Sequence, residues 1–230
     1  MCFAVESLYS QTEFKEVKTA QDVIDNYFIA LGGADKIANI RSESVSGTLK
    51  VQNFDGRFTS YKDDTMYVTK AEGNMNGQDM LMQKSVITND HGWEYQMGAM
   101  KDFSGEELES KAENIITGSL KFYLDYKKYG YNIDLKGIDD VNGKDCYKVV
   151  VDKSGKELKT NYFDKETFYI LKTEKPDSPT LEYDDFRNVE GIVRPFKITQ
   201  ISHATIDQLV NEYALNKPID PELLIKPSNK

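Results

Sequence analysis

The stretch Tyr131-Asn132-Ile133-Asp134-Leu135-Lys136, with Asn142-Gly143-Lys144-Asp145-Cys146-Tyr147-Lys148-Val149 behind it, decides the fold. Tyr131, Ile133 and Leu135 alternate with polar neighbours, the period of a strand with one buried face. Asn142-Gly143 is the residue pair that a tight hairpin turn demands. Reading forward, turn signals recur at Ser154-Gly155, Asp164 to Thr167, Pro176 to Pro179 and Glu190-Gly191. Their spacing, roughly 10–14 residues, is that of successive hairpins. A last strand is expected near Gln208 to Asn216, before Lys217-Pro218.

Reading backward, the same period governs Val45, Gly47, Leu49 and Val51, which alternate with Ser44, Ser46, Thr48, Lys50 and Gln52. Asp55-Gly56 marks a hairpin, and a long strand runs from Phe58 to Thr69. Asn76-Gly77 turns the chain, Met80 to Thr88 follows, and Asp90-His91-Gly92 turns it back into Trp93, Tyr95 and Met97. Two helical segments interrupt the strands. Thr19 and Asp22 stand at N-cap spacing before Val23, Ile24, Tyr27, Phe28 and Leu31, and Gly32-Gly33 stops that helix. Ser104 and Glu107 have the spacing of a capping box ahead of Leu108, Ala112, Ile115 and Ile116. The expectation is a mainly β (α+β) protein. Its strongly curved antiparallel sheet, or incomplete β-barrel, has about 11 strands, with helices covering the concave face. Residues 1–18 lack a period and are expected to form a flexible leader, with 19–230 as one domain.

Composition narrows the function. Thirty-eight acidic against 29 basic residues give a net charge of −9, which argues against a nucleic-acid partner. The apolar run from Tyr27 to Leu31, which no other run in the sequence exceeds, is too short to span a membrane. Two cysteines, Cys2 and Cys146, exclude a disulfide scaffold and a cysteine zinc cluster, and both are expected as free thiols. Cys2-Phe3-Ala4-Val5 has no basic segment before it and Glu6 after it, so a secretory signal is either absent from this chain or already removed. A third option is acylation of Cys2 as a lipid anchor. His91 and His203 stand in no metal or triad motif. Acidic runs at Asp139-Asp140 and at Glu182, Asp184 and Asp185 read as solvated turn and strand positions. No catalytic residue, metal or cofactor is expected.

Six of the seven methionines lie between Met66 and Met100, and Met suits surfaces that accept apolar ligands of varied shape. The Met80 to Ile87 strand is apolar on both faces, as expected where helices or a cavity cover a sheet. The expected cavity lining is Val45, Leu49, Val51, Met80, Met82, Trp93, Tyr95, Met97, Tyr131, Ile133 and Leu135. By parity Trp93, Tyr95 and Met97 share one strand face, which would make Trp93 a reporter of the cavity.

Several segments resemble a known group. Leu31-Gly32-Gly33 followed by Lys36-Ile37 and Ser44-Val45-Ser46-Gly47 is similar to the opening of bacterial outer-membrane lipoprotein-sorting and periplasmic lipoprotein-carrier-like domains. Asn142 to Val149 resembles their central hairpin. Tyr162-Phe163-Asp164 with Thr167, Ile170 and Leu171 resembles the next one. Tyr183-Asp184-Asp185-Phe186-Arg187 with Gly191-Ile192 and Pro195, and Tyr213-Ala214-Leu215-Asn216 with Ile219-Asp220, resemble the later ones. The resemblance spans roughly residues 20–227. It implies a half-barrel with a helical lid over an apolar cavity that binds a lipid or acyl chain without catalysis. It also implies a periplasmic or cell-envelope location, with a lipoprotein or another envelope protein as partner. The alternative from a different class is a protein- or glycan-binding module with a filled core. A third is a carboxylate-dependent hydrolase.

Overall fold

In the computed structural model, residues 14–51, 54–75 and 78–228 are described. Helices α1 (Ala20–Leu31) and α2 (Ala34–Ala38) lead into six strands. These are β1 (Ser42–Val51), β2 (Phe54–Asp63), β3 (Met66–Met75), β4 (Gln78–Thr88), β5 (Gly92–Gln96) and β6 (Ala99–Phe103). Helices α3 (Gly105–Thr117) and α4 (Phe122–Asp125) follow. Seven more strands follow among the described residues: β7 (Tyr131–Val141), β8 (Lys144–Lys153), β9 (Lys156–Asp164), β10 (Ile170–Glu174), β11 (Thr180–Val189), β12 (Ile192–Ile201) and β13 (Thr205–Leu215). A 3-10 turn, Pro221–Leu224, lies beyond them.

All thirteen strands form one curved antiparallel sheet in the order β6-β5-β4-β3-β2-β1-β13-β12-β11-β10-β9-β8-β7. The two meanders join where β1 pairs with β13, and β6 and β7 are left as open edges. Register shifts at Ser46/Gly47, Ala71/Glu72, Leu135/Ile138, Val151/Asp152 and Ile170/Lys172 supply the bends that curl such a sheet. Gly47 belongs to the first of these. A Cβ there would lie 2.1 Å from the Leu209 carbonyl oxygen, so only glycine permits the approach of β13.

The hairpins at Asn142-Gly143, Ser154-Gly155 and Glu190-Gly191 each place both residues at positive φ, as the two-residue turn requires. Two strands beyond the expected eleven come from turns with weak signals. Asp63 ends β2 because its Oδ1 accepts from the backbone N–H groups of Thr65 and Met66, which splits the anticipated strand through Thr69. Met97, at φ 46°, turns the chain with Gly98 into β6. Gly56, read as a turn residue, lies within β2 opposite Leu49.

Helix α1 has the full capping box, with Thr19 and Asp22 bonding each other's backbone N–H. Ser104 is the N-cap of α3 but makes no side-chain capping bond, and the Glu107 carboxylate pairs with Lys101 at 2.7 Å. Within the expected leader, residues 14 and 15 make defined contacts. Lys15 N–H donates to Asn26 Oδ1 and Asn26 Nδ2 donates to the Lys15 carbonyl, each at 2.8 Å, while Phe14 meets the Phe168 ring at 4.6 Å. Residues 1–13, Cys2 among them, lie outside the described residues.

The main core joins Val23, Ile24, Tyr27 and Leu31 of α1 and Phe122 and Tyr123 of α4 to Val149, Val151 and Phe163 on the concave face. The opposite face is not bare. Tyr61, Val68, Val86 and Trp93 are covered there by Ile219 and Leu223 of the C-terminal segment. Lys84 staples that segment by donating to the carbonyls of Glu222 (2.8 Å) and Ile225 (2.7 Å). Cys146 is a buried free thiol packed with Val141, Tyr162 and Leu171, and burial pushes its pKa up to about 11.

Candidate functional site

Between the concave face and the helices lies a cavity of about 1070 Å³. Its floor follows from strand parity. Val45, Leu49 and Val51 of β1 point into it beside Phe58 and Ser60 of β2, and Leu181, Tyr183, Phe186 and Ile198 line the far wall. Tyr27 and Leu31 of α1, Thr117 of α3 and Tyr123 of α4 supply the helical side.

Polar groups on this wall are mostly matched. Glu43 and Arg194 form a two-point ion pair, with Nε 2.8 Å from Oε2 and Nη2 donating to Oε1 at 2.9 Å. Burial alone would lower the Arg194 pKa, but Glu43 opposes it and the guanidinium ends above its ordinary value. Asn161 is fully enclosed and satisfied, donating to the Tyr123 hydroxyl at 2.6 Å and accepting from Thr173 Oγ1 at 2.8 Å.

Three lysines stand apart. Lys159 of β9 is buried, donates to the Thr117 carbonyl and lies 4.4 Å from the centre of the Phe122 ring. Lys175, just past β10, donates to Asn114 Oδ1 at 2.6 Å. Lys62 of β2 lies beside Gly118, where a Cβ would come within 2.9 Å of its Nζ. Burial lowers all three pKa values, that of Lys62 from the usual 10.5 to about 7.

Of the residues anticipated from sequence, Val45, Leu49, Val51 and Met82 line the cavity, with the exposed Met97 at its rim. The others lie elsewhere. Trp93 pairs with Val86 and Tyr95 with Lys84, which places both on the face covered by the C-terminal segment, away from the cavity. Glu94 and Gln96 take the inward positions on β5. Met80 is 46% exposed at the outer end of β4. Tyr131, Ile133 and Leu135 pack into the main core under the helices, with the Tyr131 ring 5.2 Å from that of Phe122. The Asp139-Asp140 and Asp184-Asp185 carboxylates are exposed and do not line the cavity. Sequence reading passed over the three lysines. The available signal was parity, since Lys159 alternates with Asn161 and Phe163 on the buried face of β9.

Solved structures share this architecture. A DUF1329 family protein from Desulfovibrio piger superposes with a TM-score of 0.55 at 14% identity, covering 86% of this chain and 95% of that one. A LolA superfamily protein from Nitrosomonas europaea gives 0.55 at 14%, covering 91% and 99%. A domain assigned to outer membrane lipoprotein sorting in Vibrio parahaemolyticus gives 0.52 at 12%, covering 87% and 94%. No protein-family model and no curated protein matches the sequence. At these identities the likeness is one of fold alone: the chain shares the curved-sheet fold of these solved structures.

Proposed function

We propose that the protein is a non-catalytic carrier or sensor of a hydrophobic ligand, a lipid or the acyl chain of a lipoprotein, working in the periplasm or cell envelope. The observation that carries this reading is the cavity of about 1070 Å³ between sheet and helices, floored by Val45, Leu49 and Phe58. It is as large as the roomier small-molecule sites, and a module acting only through its outer surface has no use for such a space. Each methylene buried there contributes about 0.8 kcal/mol, so ten offset a substantial part of the cost of ordering a chain. Among the described residues no helix is long and apolar enough to cross a membrane. The superfamily fold, and the relative assigned to lipoprotein sorting, agree with an envelope role.

Native mass spectrometry of the purified protein, with titration of single-chain amphiphiles below their aggregation limit, tests the proposal. One-to-one, saturable uptake is expected, and Ser60→Trp, which fills the floor beside Val45, should abolish it without lowering the melting temperature greatly. Absence of uptake for every amphiphile by the wild type would overturn the carrier reading.

A further inference from the structure

Lys62 comes from one wing of the sheet and Lys159 and Lys175 from the other, six strands away in sheet order from β2 to β9, and they converge on the C-terminal end of α3. All three line the cavity. Among the described residues none has a carboxylate partner, and Lys62 makes neither a hydrogen bond nor an ion pair. Its contact is a distant approach to the Tyr67 ring, 5.8 Å from the centroid. Nearby acids are already engaged. Glu43, directly across β1 from Lys62, holds Arg194, and Asp64 holds Lys121 at 2.6 Å. As ammonium groups the three would be partly removed from water, and Lys62 and Lys159 would be repelled by their lysine neighbours; burial lowers the pKa of each, and holding them charged is costly unless an anion joins them.

The α3 terminus accounts for Lys159 and Lys175 but not for Lys62. Past Ser60, apolar wall then runs away from Lys62 at Phe58 and, one strand over, along Val45, Leu49 and Val51. From Glu43, opposite Lys62, to Leu49 the wall is roughly 20 Å long at a strand's rise per residue. A charged end and an apolar length in one cavity is the complement of an amphiphile.

We propose that the cavity selects amphiphiles with an anionic headgroup, a carboxylate or a phosphate, held by Lys62, Lys159 and Lys175, with the chain lying over Val45, Leu49 and Phe58. The inference rests on the carrier reading and narrows its ligand class. The test compares three probes with one C12 chain, namely laurate, dodecyl phosphate and dodecanol, by calorimetry and native mass spectrometry on wild type, Lys62→Gln and Lys175→Gln. Both anions should bind at least tenfold tighter than dodecanol, and each substitution should remove at least fivefold of that advantage while leaving dodecanol unchanged. Which anion binds more tightly identifies the headgroup as carboxylate or phosphate. If Lys62→Gln fails to fold, the wild-type ratio of anion to alcohol decides alone. Equal binding of all three probes to wild type would overturn the proposal and leave the carrier reading standing. Failure of all three probes, dodecanol included, would overturn both.

Discussion

Replacing Lys62 with Met should alter how stability depends on pH, with a magnitude set by the cavity. In the unfolded chain the ammonium titrates near 10.5, whereas in the fold burial holds it near 7. Lys175 and Arg194 push the same way, while Glu43 and Asp64 oppose them. Between these values the unfolded chain binds the extra proton, so stability from this group rises with pH through that window. Below pH 7 both states are charged and the contribution is flat. From pH 6.5 to 9.5 the wild type should gain about 3 kcal/mol from Lys62 at about 1.4 kcal/mol per pKa unit. Solvent contact trims this to about 2 kcal/mol. Lys62→Met carries no titrating group there, so its stability advantage over wild type should shrink by that amount across the range. Urea unfolding of both proteins at half-unit pH steps measures it, with the difference removing slopes that Lys159, Lys175 and the tyrosines contribute to both. A difference that stays constant with pH would refute the claim that Lys62 is held in a desolvated, unmatched position.

Other consequences follow from the contacts on either side of the sheet. Glu43→Gln leaves the Arg194 guanidinium without its counter-charge and should cost about 3 kcal/mol, most of it recovered in the Glu43→Leu/Arg194→Met double variant. Urea unfolding of the wild type, Glu43→Leu, Arg194→Met and their double variant closes the cycle that reads the coupling. Leu223→Ala should loosen the C-terminal segment from the face that holds Trp93, with a red-shifted tryptophan emission and a loss of about 2 kcal/mol in urea unfolding. Amphiphile uptake should be unchanged in that variant, because Leu223 and the cavity lie on opposite faces; a weakened uptake would contradict that separation.

What the sequence disclosed follows from how local each signal was. The second meander was legible because Asn142-Gly143, Ser154-Gly155 and Glu190-Gly191 carry their turn conformation in two residues. The split after Asp63 was not, because an aspartate accepting two backbone N–H groups resembles any other acidic surface position. Met97 hid the start of β6 for a similar reason, since a methionine at positive φ is not a turn signature. The cavity wall divides the same way. On β1 the alternation of Val45, Leu49 and Val51 with polar residues led to the concave face.

On β5 the same rule selected Trp93 and Tyr95, and the face it selected was the wrong one. Alternation reports that one side of a strand is buried; it does not report which side of the sheet that is. In this protein the helices cover one face and the C-terminal segment part of the other, so an apolar row is compatible with either. The inward row of β5 is Glu94 and Gln96, a polar row facing a cavity, which no hydrophobicity pattern would nominate. Lys62, Lys159 and Lys175 escaped notice for a related reason. A lysine in a strand reads as the solvated side, and only the six-strand curl that brings β2 and β9 to the same helix end turns three ordinary lysines into one charged cluster. The polar character of the candidate site resides in the exceptions to the alternation, where a polar side chain occupies an inward position. These exceptions become visible only when the register of every hairpin between them is known.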